Sequence, residues 1–341
     1  MPITIRKPFD AHVHFRTGQM MRDVVPYSAA QFSHVLVMPN TEPPIITGDD
    51  VRAYREAIRA CVDPRIDFQP LMTFKISPAT TVGQVQDAMY AGALAGKLYP
   101  DGVTTNSVGG VRDFEALFPI FECMQELNVV LCLHGEHPDA ECMDRERRFI
   151  DDVFHMIVER YPRLRVVLEH ISTKEGIEAV RSWDADRVGG TITLHHLEVT
   201  HTEVFGGHLK PHLFCKPIPK WNKDREALRE AVLNGERQFF FGSDSAPHSR
   251  DRKECTDGCA GVFTAPVLLP ALAGLFEREG ALDRFEPFVS HFATEFYGLL
   301  PSDGKVTLVE EEWVVPDECA GIVPYRAGET LAWRVAAAGQ E

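Results

Sequence analysis

The feature that most restricts this chain is an alternation. Over its first three-quarters, short apolar runs take turns with longer stretches whose apolar residues recur at three- and four-residue steps. The short runs lie at 10–15, 34–38, 66–74, 92–98, 129–134, 165–170, 191–195 and 238–243. The helical patterns fall near 20–31, 49–62, 81–91, 112–127, 145–160, 174–183, 223–234 and 264–277, with Asp49 and Asp113 as N-terminal caps. Strands separated by helices pair in parallel, and about eight such units close a TIM (β/α)8 barrel. An open doubly wound sheet is the alternative. No Gly-x-Gly-x-x-Gly follows the first run, which argues against its dinucleotide-binding form. The tail from about 281 is richer in turns. It reads as a short C-terminal extension packed on a barrel of about 8–280, the whole of 1–341 forming one domain.

Charge narrows the class of partner. The formal net charge of −15 argues against nucleic acid and anionic membranes, which require an excess of Lys and Arg. A pocket can still be locally positive around metal ions and a few Arg residues, so an anionic small molecule remains an acceptable substrate. No stretch reaches the roughly 18–20 apolar residues of a membrane span, and the first residues contain no apolar signal core, so the expectation is a cytoplasmic protein. The eight Cys are scattered, several within apolar runs, and read as reduced thiols. Cys255 and Cys259 stand close enough to bind a metal, but no second pair accompanies them.

A barrel places its catalytic groups at the C-terminal ends of its strands. The chemically capable residues fall there: His12 and His14 on the first run, Asn40 after the second, Lys97 closing the fourth, His134 and His170 closing the fifth and sixth, and Asp244 after the last with His248 just beyond. Any one His at a strand end is more often a hydrogen-bonded structural residue than a ligand. Six potential ligands at one end of one barrel are a different matter. His12 and His14, two apart, are expected to face the same way and reach one metal, with Asp10 as the acceptor that orients them. Arg16, two residues further, is expected on the same face, able to grip a carboxylate in a bidentate pair. Lys97 beside cations is disfavoured as an ammonium, and its neutral amine can take up carbon dioxide to give a bridging carbamate, an N6-carboxylysine.

These residues sit in segments that resemble the dihydroorotases, specifically the short bacterial-type class of the amidohydrolase superfamily. The matching segments are Asp10-Ala-His-Val-His-Phe-Arg16, Val37-Met-Pro-Asn-Thr-Glu-Pro-Pro44, Ala95-Gly-Lys-Leu-Tyr-Pro100, Thr104-Thr-Asn-Ser107, Leu133-His-Gly-Glu136, Glu169-His-Ile-Ser-Thr-Lys174, Lys210-Pro-His-Leu213, Gly242-Ser-Asp-Ser-Ala-Pro-His248 and Cys259-Ala-Gly261.

The resemblance implies a TIM barrel with two zinc ions per chain. One would be held by His12, His14 and Asp244, the other by His134 and His170, with carboxylated Lys97 and a hydroxide between them. It implies the reversible hydrolysis of L-dihydroorotate to N-carbamoyl-L-aspartate, the ring-closing step of pyrimidine biosynthesis. In the implied reaction the two ions would supply a hydroxide to attack the ring amide, and Asp244 would carry its proton to the leaving nitrogen. Arg16, Asn40, His248 and Ala260 would hold the substrate carboxylate. Thr104 and Thr105 would close over the ring, and His134 and Lys216 would complete the wall. The family more often has Leu where Lys216 stands, and its contact there runs through the main chain. The resemblance also suggests a homodimer. Another cyclic-amide hydrolase, of hydantoinase, dihydropyrimidinase or allantoinase type, would share the metal cluster but would not need Arg16 and Asn40. A non-catalytic relative would have lost ligands.

Overall fold

In the computed structural model, which describes residues 1–336, the alternation becomes eight parallel strands hydrogen-bonded in sequence order. A short first strand, β1 (Ile3–Arg6), precedes them. The barrel strands are β2 (Phe9–Val13), β3 (His34–Val37), β4 (Gln69–Ile76), β5 (Ala93–Leu98), β6 (Val130–His134), β7 (Val166–Glu169), β8 (Val188–Ile192) and β9 (Phe239–Phe241). Helices lie between them, so the open doubly wound alternative is excluded. The helix expected at 49–62 runs Gly48–Arg59, and its cap is Thr47 rather than Asp49. The Thr47 hydroxyl accepts from Asp50 N while the Asp50 carboxylate accepts from Thr47 N, a reciprocal box that Asp49 cannot form from inside the first turn. Asp113 does cap, accepting from Ala116 N at 3.1 Å.

Side-chain parity decides what fills the barrel. Leu36, Ala95, Val130, Cys132, Val167 and Phe240 form a dry cluster separate from the larger core between sheet and helices. The same parity lifts Lys97, His134 and Glu169 one layer above that cluster. A register irregularity between Asp10 and Val13 breaks the alternation on β2. Phe9 and Ala11 join the interior cluster, and His12 nevertheless joins the polar layer above.

The seam between the first and last strands is closed just beyond β9. Asp244 N donates to His12 O at 2.9 Å and His14 N donates to Ser245 O at 3.0 Å. The Asp10 carboxylate adds a third tie across the seam, accepting from Ser243 N at 2.8 Å.

The opposite end is stoppered by the tail. Phe296 and Tyr297, on the helix Phe292–Tyr297, lie 5.3 and 6.1 Å from the Phe240 ring, and Tyr297 lies 5.6 Å from Phe9. The rest of the tail supplies β10 (Lys305–Val314) and β11 (Thr330–Val335). These do not stand alone: β10 pairs antiparallel with both β11 and β1 in a three-stranded sheet. Ile5, Leu308, Leu331 and Trp333 from this sheet belong to the main hydrophobic core. All eight cysteines are free thiols.

Candidate active site

The polar layer sits where the strands end. His12, His14 and Asp244 are buried, and their donor atoms lie within 4.8 Å of one another. His12 Nε2 is 3.3 Å from His14 Nε2, and Asp244 Oδ1 is 3.1 Å from His14 Nε2. The His170 ring stands 5.1 Å from that of His12 and 4.6 Å from that of His134. Lys97, on β5, is fully buried, and its Nζ has no hydrogen-bond partner among the described residues. An unpaired buried ammonium costs several kcal/mol, so the amine is driven toward its neutral form. Burial lowers the Lys97 pKa accordingly. Burial also lowers the pKa of His12, His14, His134 and His170, leaving four neutral imidazoles around one amine and one carboxylate. That set is rich in lone pairs and poor in protons, and it fits divalent cations of borderline softness.

Two of these residues hold unusual backbone. His170 and Asp244 have φ of 41° and 42°, in the left-handed region. Each is pinned: His170 N donates to Thr191 Oγ1 at 2.6 Å, and Asp244 N to His12 O. Strain held by surrounding bonds in this way concentrates at functional sites. Asp244's carboxyl is pushed up by burial, against the pull of His12, Lys97 and His134.

Asp10 does not orient the imidazoles. Its carboxylate accepts from backbone amides, His12 N and Ser243 N, because the irregularity on β2 turns it away from the rings. The orienting acceptor for His12 is Glu169, whose Oε2 stands 2.8 Å from Nδ1 and also accepts from Thr191 Oγ1 at 2.6 Å. Burial would raise the Glu169 carboxyl, but Lys97, His12 and Thr191 outweigh it and hold it down to about 2. Glu136 stands in the same relation to His134, Oε2 to Nε2 at 2.9 Å. Neither role was read from the sequence. The available signal was parity: Glu169 is two residues past inward-facing Val167, and a Glu in that layer needs a partner.

Arg16 reaches the pocket from a turn rather than from the strand. It lies beyond β2 with φ of 59°, and its carbonyl accepts from Tyr54 Oη at 2.7 Å. Its Nε donates to Pro247 O, and Nη2 stands 3.0 Å from His248 Nε2. Burial, then Arg16 and Lys253, hold the His248 ring down to about 2, so it is neutral and accepts from Arg16. The opposite tautomer would turn Nε2 toward Ala260 O, also 3.0 Å away.

The segment after Lys97 folds across the opening. Asn40 Nδ2 donates to Thr105 O, Asn106 Nδ2 donates to Asn40 O, and Thr105 Oγ1 donates to Ala260 O. Lys75 Nζ ties down Asn106 O at 2.9 Å.

The pocket so enclosed is lined by His12, His14, Arg16, Asn40, Thr104, Thr105, His134, His170, Lys216, Asp244 and Ala260, together with Tyr99, Ala246 and Gly261. Of the expected residues, Lys97 lies beneath this lining and His248 behind Arg16. Tyr99 was not anticipated; its buried hydroxyl has no partner among the described residues. Cys255 and Cys259 gather no metal-ligand set among the described residues: Cys255 Sγ faces Arg252 O and Cys259 Sγ faces the Arg252 guanidinium. No helix in the described residues is long and apolar enough to cross a membrane.

Comparison with known proteins agrees with this geometry. The amidohydrolase family model matches residues 7–275. A dihydroorotase of Marinobacter nauticus is 44% identical over 340 residues, covering 98% of this chain and 99% of its own. Among solved structures, the dihydroorotase of Campylobacter jejuni is 40% identical with a TM-score of 0.90, covering 98% of this chain and 97% of its own. The dihydroorotase of Saccharomyces cerevisiae, solved with 5-fluoroorotic acid, is 35% identical with a TM-score of 0.91, covering 98% of each chain. With a barrel of the right topology and likeness over nearly the full length, the chain belongs to the amidohydrolase family and, within it, to the dihydroorotases.

Proposed function

We propose that this chain catalyses the reversible hydrolysis of L-dihydroorotate to N-carbamoyl-L-aspartate with two zinc ions, held by His12, His14 and Asp244 on one side and His134 and His170 on the other, with Lys97 carboxylated between them. The observation that carries the reading is the meeting of that donor set with Arg16 in one pocket. The donor set suits a metal-assisted attack on an amide; the guanidinium suits a substrate that also bears a carboxylate. The yeast relative was solved with a carboxylated pyrimidine, which supports the same substrate class here.

When bound, the ions would supply a hydroxide at neutral pH and polarise the ring carbonyl. The chain's own residues do the rest. Lys97 is buried and its Nζ has no partner among the described residues, so burial drives its amine toward the neutral form that carboxylation needs. Asp244, buried with a raised carboxyl pKa, moves the proton from the attacking oxygen to the leaving nitrogen. Arg16, backed by Pro247 O and His248, holds the substrate carboxylate, with Asn40 and the Ala260 backbone beside it. Thr104, Thr105 and Lys216 form the outer wall, and the 104–107 segment excludes water. His134 serves both as ligand and as part of the wall around the ring. The family likeness also favours a single-domain enzyme acting as a cytoplasmic homodimer.

The test is an assay of the purified chain, with metal analysis, against L-dihydroorotate, hydantoin and allantoin. Turnover of dihydroorotate with at least two zinc ions bound per chain is expected, two of them at the catalytic donor groups. Preference for hydantoin or allantoin would overturn the substrate assignment.

A further inference from the structure

A second group of soft donors lies beside the catalytic layer. The short helix Leu194–Glu198, after β8, carries His195 and His196. Cys215 follows the turn Pro211–Leu213 and comes back against them. One donor atom from each of the three lies within 4.8 Å of the others, and all three residues are buried. The two imidazoles stand 4.7 Å apart, centroid to centroid.

Independently of that clustering, His195 is an orphan. It is 1% exposed, and neither Nδ1 nor Nε2 has a hydrogen-bond partner among the described residues. A buried imidazole N–H and lone pair left unmatched are each costly, so an unpartnered ring of this kind calls for an explanation.

The geometry around His196 supplies one. Its Nε2 is 4.0 Å from Cys215 Sγ and 3.0 Å from Pro217 O, and Sγ is 3.3 Å from the same oxygen. In a tetrahedral zinc site with Zn–N near 2.0 Å and Zn–S near 2.3 Å, neighbouring donor atoms stand about 3.3–3.7 Å apart. The observed spacings bracket that range. The far nitrogen, Nδ1, is 2.9 Å from Thr193 Oγ1, which can accept its proton and leave the Nε2 lone pair facing the group.

We propose that His195, His196 and Cys215 form a second, structural metal site for a zinc-like divalent cation, with the Pro217 carbonyl oxygen at its fourth corner. Binding forms metal–nitrogen and metal–sulfur bonds and releases the Cys215 thiol proton to solvent, with no change in oxidation state. The site differs from the catalytic group in kind, because it contains sulfur and the catalytic group contains only nitrogen and oxygen donors. Its consequence is local. Cys215 adjoins Lys216, which lines the catalytic pocket, and Phe214 O accepts from Gly261 N, another lining residue. A cation here would fasten the 214–217 segment to the helix after β8 and so fix one wall of the pocket.

Cobalt(II) distinguishes this site from the catalytic one. The full chain is stripped with chelator and reloaded with cobalt. Wild type is expected to show a near-ultraviolet thiolate-to-cobalt charge-transfer band, which a nitrogen–oxygen centre cannot give. Cys215→Ser is expected to lose the band while keeping the visible absorption of the catalytic centre. A Cys255→Ser/Cys259→Ser double variant, which removes the closely spaced pair of thiols outside the proposed site, is expected to keep it. By metal analysis, wild type should carry one more ion per chain than either Cys215→Ser or His195→Gln; the His195 variant retains the thiol and covers the case in which Cys215→Ser does not fold. Absence of the band in wild type, its loss in the double variant, or equal metal content in wild type and His195→Gln would overturn the proposal. None of these readouts depends on turnover, so the substrate assignment stands or falls separately.

Discussion

Glu169 Oε2 faces His12 Nδ1 across 2.8 Å at the floor of the pocket, both side chains sealed from solvent. The carboxylate fixes the imidazole tautomer so that Nε2 carries its lone pair toward His14 and Asp244. Outer partners of metal-binding imidazoles typically contribute 10–100-fold to affinity or activity. Glu169→Gln should therefore lower metal retention and turnover by about that factor. Metal content after dialysis against a weak chelator, beside the rate, checks it; wild-type retention would show that Thr191 and packing suffice to orient the ring.

Lys97 offers a second test. Its amine is buried with no hydrogen-bond partner among the described residues, and the Glu169 carboxylate in the same layer is already engaged by His12 and Thr191. Lys97→Ala should lose bound metal and reduce dihydroorotate hydrolysis by several kcal/mol of transition-state stabilisation, on the order of 10³-fold. Mass spectrometry under native conditions should find the carbon dioxide adduct on wild type and not on the variant. If metal and rate both survive, the carbamate is wrong.

Arg16 is held by Pro247 O and His248 with its guanidinium edge at the pocket. Replacing it with Met removes charge-assisted bonds worth about 1.5–3 kcal/mol, a rise in KM of roughly 10- to 100-fold. Metal content should be unchanged. A fall in kcat at constant KM would instead place Arg16 in the chemistry.

His248 predicts a pH dependence. Its folded pKa, near 2, lies below the unfolded value of 6.5, so the unfolded chain binds the extra proton between those limits. Stability from this residue is therefore intact above pH 6.5 and lost as pH falls below it, by at most about 1.4 kcal/mol per pH unit. Denaturant titrations of wild type and His248→Gln should diverge as the solution is acidified, with wild type losing more. Parallel curves would mean that the ring is protonated in the folded state.

Much of this is legible in the sequence. The 3.6- and 2-residue periods located eight strands, and the barrel rule then predicted where His134, His170 and Asp244 would meet. What escaped was set by departures from regularity or by partners far apart in sequence. The irregular register on β2 turned Asp10 from the rings to the seam. Arg16 reached its place by a turn rather than by strand parity. Glu169 and His12 are 157 residues apart, and only the barrel's closure brings them together. The short β1 carried too little pattern to announce that it pairs with β10, near the other end of the described chain.

That pairing and the Phe296–Tyr297 stopper make the barrel depend on residues outside it. Without the tail, the interior layer of Phe9, Cys132 and Phe240 lacks its floor. A fragment ending at Arg278 would hold every proposed metal ligand and still open its apolar centre to water. The tail residues thus decide whether the barrel's apolar centre is kept dry.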